Sequence, residues 1–566
     1  MRGENTRILI IGGVAAGPKT AARARRLLPD AEITIIEKGQ LISYGGCGMP
    51  FFVGGLIPNL EELMTTPSGV VRTVNFFDKA KAVKIRTGIL AEAIDRESKE
   101  VRVRRLEDDS QETIPYDYLV LATGSDPVTL AIQGADLQRV FRLNHPEDAI
   151  KIKAALKTKQ IKKAVVIGGG LIGLEAADGL ANNRVKVTVV DIADQLLPSI
   201  LDPDMAAILR KKLEGRGLNV MTGTRVTALL GGDEGNISRV VTDKGELEAD
   251  LAIIAVGVRP RVDLAMAAGL RLGAGGAIAV NEFLQTSDPS IYAGGDCVEN
   301  THLVSGQKVY APQASYANKH GRVIADNLAG RKTTFPGILG TTGLQAFEHN
   351  IGRTGLGEKE AKALGFEVIT TMTAATDCAH YYPTKAGVIT RLVVEKNSGR
   401  LLGAQLLGPG DAIKRVDVLA TVIKFGGTVE DVANLDTVYA PPFATAIDLS
   451  ATAANTARNK LAGLVAGITS AQLKEKLAAG EDLLLVDVRL PEEFNTRRIP
   501  SDKTIHIPMG QLRGRLKDLP KDKLLVIICE LGTRGYEAYR ALEGAGFTNI
   551  KYLEGGVEVW PGELEE

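Results

Sequence analysis

Two cysteines stand where sulfur chemistry is possible. Cys47 lies in ISYGGCGMP (residues 42–50), among glycines that let the backbone come close to another group. No second cysteine is near enough in sequence to form a local redox pair, so Cys47 acts alone. Three roles fit a lone thiol there: a sulfenic-acid cycle, a small buried hydrophobe, or a mixed disulfide or persulfide with an incoming thiol. Cys529 closes an apolar run in LLVIICELGTRGY (524–536), with Arg534 five positions on. A strand, a short loop and a helix are expected, and a loop at a helix N-terminus turns N–H groups toward the sulfur and favours an anion. Arg534 is expected to brace that loop. A phosphatase loop of the Cys-x5-Arg kind is the alternative, but it is one residue longer.

Two glycine-rich turns carry a second signal. RILIIGG (7–13) is a strand that runs into Gly12, Gly13 and Gly17; a helix rich in Ala and Arg follows, and a second strand, ITIIE, ends at Glu37. Val14 takes the usual middle-glycine place. The second copy, AVVIGGGLIGLE, has full spacing in Gly168, Gly170 and Gly173, and its next strand ends at Asp191. Glycines admit a pyrophosphate to the backbone, the helix N-terminus supplies N–H donors, and the acidic residue suits a ribose diol. Two such units predict two dinucleotides in one chain. LVLATGS (119–125), with Thr123 and Gly124, and IYAGGDC (291–297), with Asp296, are further strands that end in small-residue turns.

This set resembles the FAD- and NAD(P)H-dependent pyridine nucleotide–disulfide oxidoreductases over roughly residues 5–455. The resemblance implies that Gly12, Gly13, Gly17, Glu37, Ser43, Thr123, Gly124 and Asp296 hold FAD. It implies that Gly168, Gly170, Gly173 and Asp191 hold the nicotinamide cofactor. Asp191 would repel a 2′-phosphate, which favours NADH over NADPH. Many relatives carry an aromatic residue at Leu171. Flavin peroxidases and oxidases place a histidine in the first glycine turn, where this chain has Ala15, so the resemblance disfavours the sulfenic-acid cycle.

SYGGCGMPFFVGG resembles the coenzyme A-disulfide reductase group, with Gly46 in place of the usual Asn. That likeness implies a thiol-bound substrate sulfur at Cys47, with Ser43 beside it. It also implies coenzyme A as substrate or bound ligand, its phosphates on the helix face of Lys19, Arg23 and Arg26; Arg25 points elsewhere. Pro18 sets the first turn of that helix apart. DCAHYYP (377–383) and VYAPPF (438–443) are similar to the family's two tyrosine-bearing segments, which implies a homodimer in which Tyr439, and Tyr381 or Tyr382, reach the neighbouring subunit's site. His380 and Cys378 lie alongside. The thiolate is expected to be favoured by an electron-poor flavin and by these phenols.

Residues 468–566, with VDVRLPEEF, the Cys529 loop and LEGGVEVWPG, resemble a rhodanese domain. The fusion as a whole is similar to coenzyme A-disulfide reductase–rhodanese proteins, some of which are NADH-dependent persulfide or polysulfide reductases. A plain coenzyme A-disulfide reductase, and a redox-sensing interaction protein on a flavin scaffold, are the other readings.

The expected architecture is α/β, with two Rossmann-like domains, an α+β dimerisation domain and a smaller α/β rhodanese domain. The boundaries expected are 1–150 and 256–335 for the FAD domain, 151–255 for the NAD domain, 336–455 for dimerisation, 456–467 for a linker and 468–566 for the rhodanese. The 566 residues are 45% hydrophobic, and 68 basic residues balance 68 acidic ones. That balance argues against nucleic acid or a membrane surface as partner. No apolar run approaches the ~20 residues of a membrane span. MRGENTRILIIGG runs straight into a strand rather than reading as a signal peptide. Four cysteines without a CxxC pair suit a reducing cytoplasm, and no metal ligation is expected.

Overall fold

The computed structural model describes residues 6–232, 235–273 and 275–565; the opening MRGEN lies outside them. The chain packs as two compact units. One is Met1–Ile192 with Thr224–Ile338, and the other is Ala193–Gly223 with Leu339–Glu566.

The first unit is built on two parallel sheets. Strand Arg7–Ile11 lies between Glu32–Glu37 and Tyr118–Leu121, with Lys84–Thr87 and Ile291–Ala293 outside them. RILII is almost wholly apolar because helices and loops bury it on both faces. In the second sheet Lys163–Ile167 pairs with Lys186–Val190 and Leu251–Ile254. Each central strand feeds a glycine turn and then a helix: Ala16–Leu27 in the first sheet and Leu171–Asn182 in the second.

The helix that follows Cys47, Met49–Gly54, lies across Leu171–Asn182 at a pair of glycines. A Cβ on Gly179 would come within 2.8 Å of the Pro50 carbonyl oxygen, and one on Gly54 within 3.0 Å of the Gly179 Cα. Asn183 Nδ2 donates to the Val53 carbonyl at 3.0 Å and secures the crossing. The turn that carries Cys47 is therefore fixed to the helix that springs from the second glycine motif.

The second unit holds an antiparallel sheet in the order Thr342–Ala346, His349–Gly355, Leu401–Gly408, Gly387–Glu395, Val368–Thr376. It also holds a parallel sheet in the order Gly467–Ile468, Ile550–Leu553, Leu524–Ile528, Leu483–Asp487, Thr504–His506. Residues 193–223 group with this unit. Buried Arg391 explains this: it pairs with Asp202 at 3.0 Å, with Asp204 and with Glu358. The parallel sheet is tied to the antiparallel one through buried Glu554. Glu554 accepts from Lys460 Nζ at 2.5 Å and from Met372 N, on edge strand Val368–Thr376, at 3.1 Å. Lys460 also donates to the Thr370 carbonyl at 2.5 Å. Helix Pro203–Glu214 adds Lys211 to the Trp560 carbonyl (3.0 Å) and Lys212 to Glu558 (2.8 Å). Among the described residues no helix is long and apolar enough to cross a membrane.

Candidate active site

The two glycine turns have the same geometry. Gly12 and Gly168 both take positive φ (116° and 115°), and a Cβ on either would strike a carbonyl, Ala122 at 2.1 Å or Ala255 at 2.3 Å. A Cβ on Gly17 or Gly173 would meet the carbonyl of Gly12 or Gly168 at 1.9 Å. At Gly170, by contrast, nothing stands within 4 Å of the place a Cβ would occupy. A bulky ligand can therefore approach the backbone there. Gly13 N donates to Glu37 Oε2 at 2.7 Å, and Gly169 N to Asp191 Oδ2 at 2.6 Å. Each carboxylate is thus locked at the end of its strand, and Glu37 also accepts from Gly39 N at 2.8 Å. The residues present fit two dinucleotides.

Around the first turn Ser43 is buried with φ at 51°, and its N–H donates to the Gly13 carbonyl at 2.8 Å. Thr123, expected to touch the cofactor, spends its hydroxyl on the Arg261 carbonyl at 2.7 Å, which closes the turn at Gly124. Burial pushes the Asp296 carboxyl above its ordinary value, against a hydrogen bond from Ser125 that pulls it down. A carboxylate so short of solvation is a strong acceptor for a hydroxyl-bearing ligand.

Cys47 sits in the short turn Gly46–Gly48 and reaches solvent. Gly48 N donates to the Gly45 carbonyl at 2.9 Å, and a Cβ on Gly48 would lie 2.3 Å from Leu63 Cδ2. The thiol is pushed up by the protein packed around it, and then by the carboxylates of Glu175 and Asp296. The chain by itself therefore opposes the thiolate that the sequence led us to expect. Glu175, on helix Leu171–Asn182, escaped the sequence reading. Burial, with Asp178 nearby, pushes its carboxyl up to about 7. The signal was a pair of acidic residues, Glu175 and Asp178, in the otherwise apolar stretch LIGLEAADGL.

The helix face expected to meet coenzyme A is split. Lys19 and Arg26 stand exposed. Arg23 does not stand free, because Asp326 takes its guanidinium in an ion pair of 2.8 Å. Arg25 turns away to the Ala82 carbonyl at 2.8 Å. Pro18 occupies the first helical turn, where a missing N–H costs no hydrogen bond.

In the second unit, buried Arg415 joins the two tyrosine segments by donating to the Asp377 carbonyl (2.8 Å) and the Phe443 carbonyl (3.0 Å). Tyr381 and Tyr439 are both exposed, and the neighbouring phenol of Tyr439 raises that of Tyr381. Tyr382 is half-buried. The same strip exposes Val438 and Phe443, at 78% and 67%. Exposed apolar side chains in such a run suit an interface. Cys378 is buried in its own segment.

Cys529 lies at the end of strand Leu524–Ile528 and ahead of helix Thr533–Gly544, 1% exposed. Gly532 N donates to its Sγ at 3.0 Å. A Cβ on Gly535 would stand 3.3 Å from the same sulfur, so glycine leaves that side open. Val557 N donates to the Cys529 carbonyl at 2.9 Å, so the turn after Gly555 and Gly556 holds the loop from below. Burial raises the thiol, while the N–H groups of Gly535 and Gly532 and the charge of Arg534 pull it down; burial prevails. Arg534 does not brace its own loop as expected. Both its terminal nitrogens bind Glu493, at 2.6 Å each. Glu530 instead anchors the loop, on Arg489 at 3.1 Å and on Arg497. Arg489, Glu493 and Glu530 were not foreseen as site residues, although VDVRLPEEF holds the first two and LLVIICELGTRGY the third.

Three family models match the chain. The pyridine nucleotide-disulphide oxidoreductase model covers residues 6–321, its dimerisation domain 344–451, and the rhodanese-like domain 469–563. A Pyrococcus horikoshii protein named NAD(P)H coenzyme A polysulfide/persulfide reductase is 36% identical over 79% of this chain and 97% of its own length. A Methanocaldococcus jannaschii protein named NADH oxidase is 35% identical over 80% of this chain and 99% of its own. The solved structure of a NAD-dependent persulfide reductase from A. fulgidus is 42% identical. It superposes with a TM-score of 0.93 over 98% of this chain and 100% of that one. The α/β architecture, the paired dinucleotide cradles and the appended sulfur-binding domain thus agree, and the chain belongs to the pyridine nucleotide-disulphide oxidoreductase family, with a dimerisation domain and a rhodanese domain.

Proposed function

We propose that this enzyme uses NADH and FAD to reduce sulfane sulfur in persulfides or polysulfides, with Cys47 as the redox-active thiol and Cys529 as the handler of sulfane sulfur. The observation that carries this is the joining, in one chain, of a lone solvent-reaching thiol to the dinucleotide-binding unit and of a second cysteine to an N–H cradle in a rhodanese domain. The full-length likeness to a persulfide reductase supports it.

Gly12, Gly13, Gly17, Glu37 and Asp296 would hold FAD, and Gly168, Gly170, Gly173 and Asp191 would hold NADH. FAD, when bound, passes the hydride of NADH on as two electrons. Cys47 as thiolate attacks the outer sulfur of R–S–SH; that S–S bond breaks, and RS⁻ leaves and takes a proton. Two electrons then break the Cys47–S–SH bond, which releases HS⁻ and restores the thiolate. Glu175 stands where it can hold or release a proton near neutral pH as Cys47 changes charge. Lys19 and Arg26 are the exposed cations available to a coenzyme A phosphate.

The working form is a homodimer in which the exposed Tyr381–Tyr439 pair serves the neighbouring subunit, and the setting is a reducing cytoplasm. FAD segments at 1–150 and 256–335, an NAD domain between them, dimerisation at 336–455 and a rhodanese from 468 remain the functional division we favour. An oxidase reading is less well supported, because Ala15 stands where a peroxide-handling histidine would be. Anaerobic steady-state oxidation of NADH with coenzyme A persulfide, polysulfide, coenzyme A disulfide and thiosulfate tests the proposal. Persulfide or polysulfide should give the fastest turnover; faster turnover with coenzyme A disulfide would overturn it.

A further inference from the structure

The turn that ends in Asp296 leans on a histidine. Strand Ile291–Ala293 runs into Gly294, whose N–H donates to the Leu121 carbonyl at 3.0 Å. The Cys297 thiol donates back to the Gly294 carbonyl at 3.4 Å. The next N–H, that of Gly295, goes to a side chain instead, His320 Nδ1 at 3.1 Å. Gly295 takes φ at 86°, and Asp296 follows it directly. Where this N–H is fixed therefore decides where the Asp296 carboxylate stands.

His320 is held as firmly as the turn. It lies in helix Ala314–Leu328 and is 0% exposed. Its ring meets Phe335 edge-to-face at 4.4 Å. A Cβ on Gly294 would stand 3.0 Å from His320 Cβ, so glycine in the turn admits the imidazole. The neighbouring Gly321 lets this helix close on helix Ala16–Leu27: a Cβ there would lie 2.7 Å from the Ala16 carbonyl oxygen. Further along, Asp326 pairs with Arg23 of the same helix at 2.8 Å.

Because Nδ1 accepts, the ring proton sits on Nε2. Nε2 is buried and has no hydrogen-bond partner among the described residues. An unpaired buried N–H costs stability. A leucine would fill the same space without that cost, so packing alone does not account for a histidine here. A carboxylate would also accept from Gly295 N, but it would set a second negative charge beside Asp296. Burial, and then Lys319, push the imidazole down to about 4, so near neutral pH it is an uncharged acceptor.

We infer that His320 is a positioning residue for the flavin nucleotide: its Nδ1 fixes the Gly295 N–H and so aims the Asp296 carboxylate at a ligand hydroxyl. This rests on the reading above that Asp296 holds FAD. Release of FAD from the full-length holoenzyme tests it, followed after dilution by the rising fluorescence of the free flavin. His320→Asn carries its side-chain oxygen close to the place of Nδ1. His320→Gln, one methylene longer, carries its amide out to the level of Nε2 and leaves Gly295 N without an acceptor. Gln fills more of the buried site than Asn does, so a role in packing alone would make the Asn variant release FAD faster. The inference expects the reverse order. Gln should release FAD about tenfold faster than the unaltered protein, the scale of one hydrogen bond left unmade, and Asn should stay within about threefold of it. Phe335→Leu removes the ring contact but leaves Nδ1 in place, and should release FAD at nearly the unaltered rate. Release from the Asn variant as fast as from the Gln variant, or a tenfold acceleration in Phe335→Leu, would overturn the inference while leaving Asp296 a flavin ligand. An unaltered protein that neither holds nor takes up FAD would overturn both.

Discussion

Cys47 and Glu175 form one electrostatic unit. The carboxylate raises the thiol, and with its own titration near 7 it is charged or neutral over the range in which the thiol reacts. Replacing Glu175 with Gln removes a negative neighbour, so Cys47 should ionise at lower pH. The pH profile of its alkylation by iodoacetamide should move to the acid side; a shift to the alkaline side would mean that Glu175 assists the thiolate instead. Because the folded chain holds a proton on Glu175 that the unfolded chain has lost, this group's contribution to stability is present below about pH 4.5 and is lost as pH rises through 7. Glu175→Gln should therefore flatten the fall in denaturation midpoint between those values. Asp191 bears on the cofactor: NADH should exceed NADPH in kcat/KM by about tenfold or more, since like charges at a binding site cost several kcal/mol. Steady-state kinetics with both nucleotides decides it. Cys47→Ser should abolish NADH oxidation with every sulfur acceptor while single-turnover flavin reduction survives.

At the scale of elements, the crossing of Met49–Gly54 over Leu171–Asn182 decides where the thiol stands. Gly179→Ala would drive a methyl to 2.8 Å from the Pro50 carbonyl, and the short helix would have to move. A cost of about 1–3 kcal/mol is expected from such overpacking. Denaturant unfolding should read that loss, and sulfur-acceptor turnover should fall more than NADH binding does. An equal fall in both would place the damage in the nucleotide turn instead. This crossing was not legible in the sequence, although both glycines were visible there. The strand–glycine–helix units were legible, because each is dictated by a few consecutive residues: an apolar run, a residue forced to positive φ, an acidic strand end. The lone Cys47 and the Cys529 loop could be found for the same local reason. What the sequence hid are pairings between distant residues, such as Arg534 with Glu493, Arg23 with Asp326 and Arg391 with Asp202, and the rise of both thiols. Burial belongs to the tertiary structure, and no short stretch of sequence carries it.

At the scale of the whole molecule, the strip with Tyr381, Val438, Tyr439 and Phe443 is the face on which a second copy is expected. Tyr439→Phe removes one hydroxyl from the pair it forms with Tyr381. It should slow the cysteine half-reaction, followed by stopped-flow, and leave flavin reduction by NADH nearly intact; unchanged rates in both would reduce Tyr439 to interface packing. The contact at Glu554 carries a different consequence. Thr370 and Met372 lie on the outermost strand of the antiparallel sheet, and their outward carbonyl and N–H are met by Lys460 and Glu554. Glu554 of the rhodanese domain thus shields the Met372 N–H of that border, a backbone group that would otherwise be open to a foreign strand, while Lys460 covers the Thr370 carbonyl from helix Leu449–Leu461. A chain cut after residue 467 would lose more than a sulfur carrier: it should form concentration-dependent aggregates rich in added β-structure, and a single charge placed on that strand should suppress them.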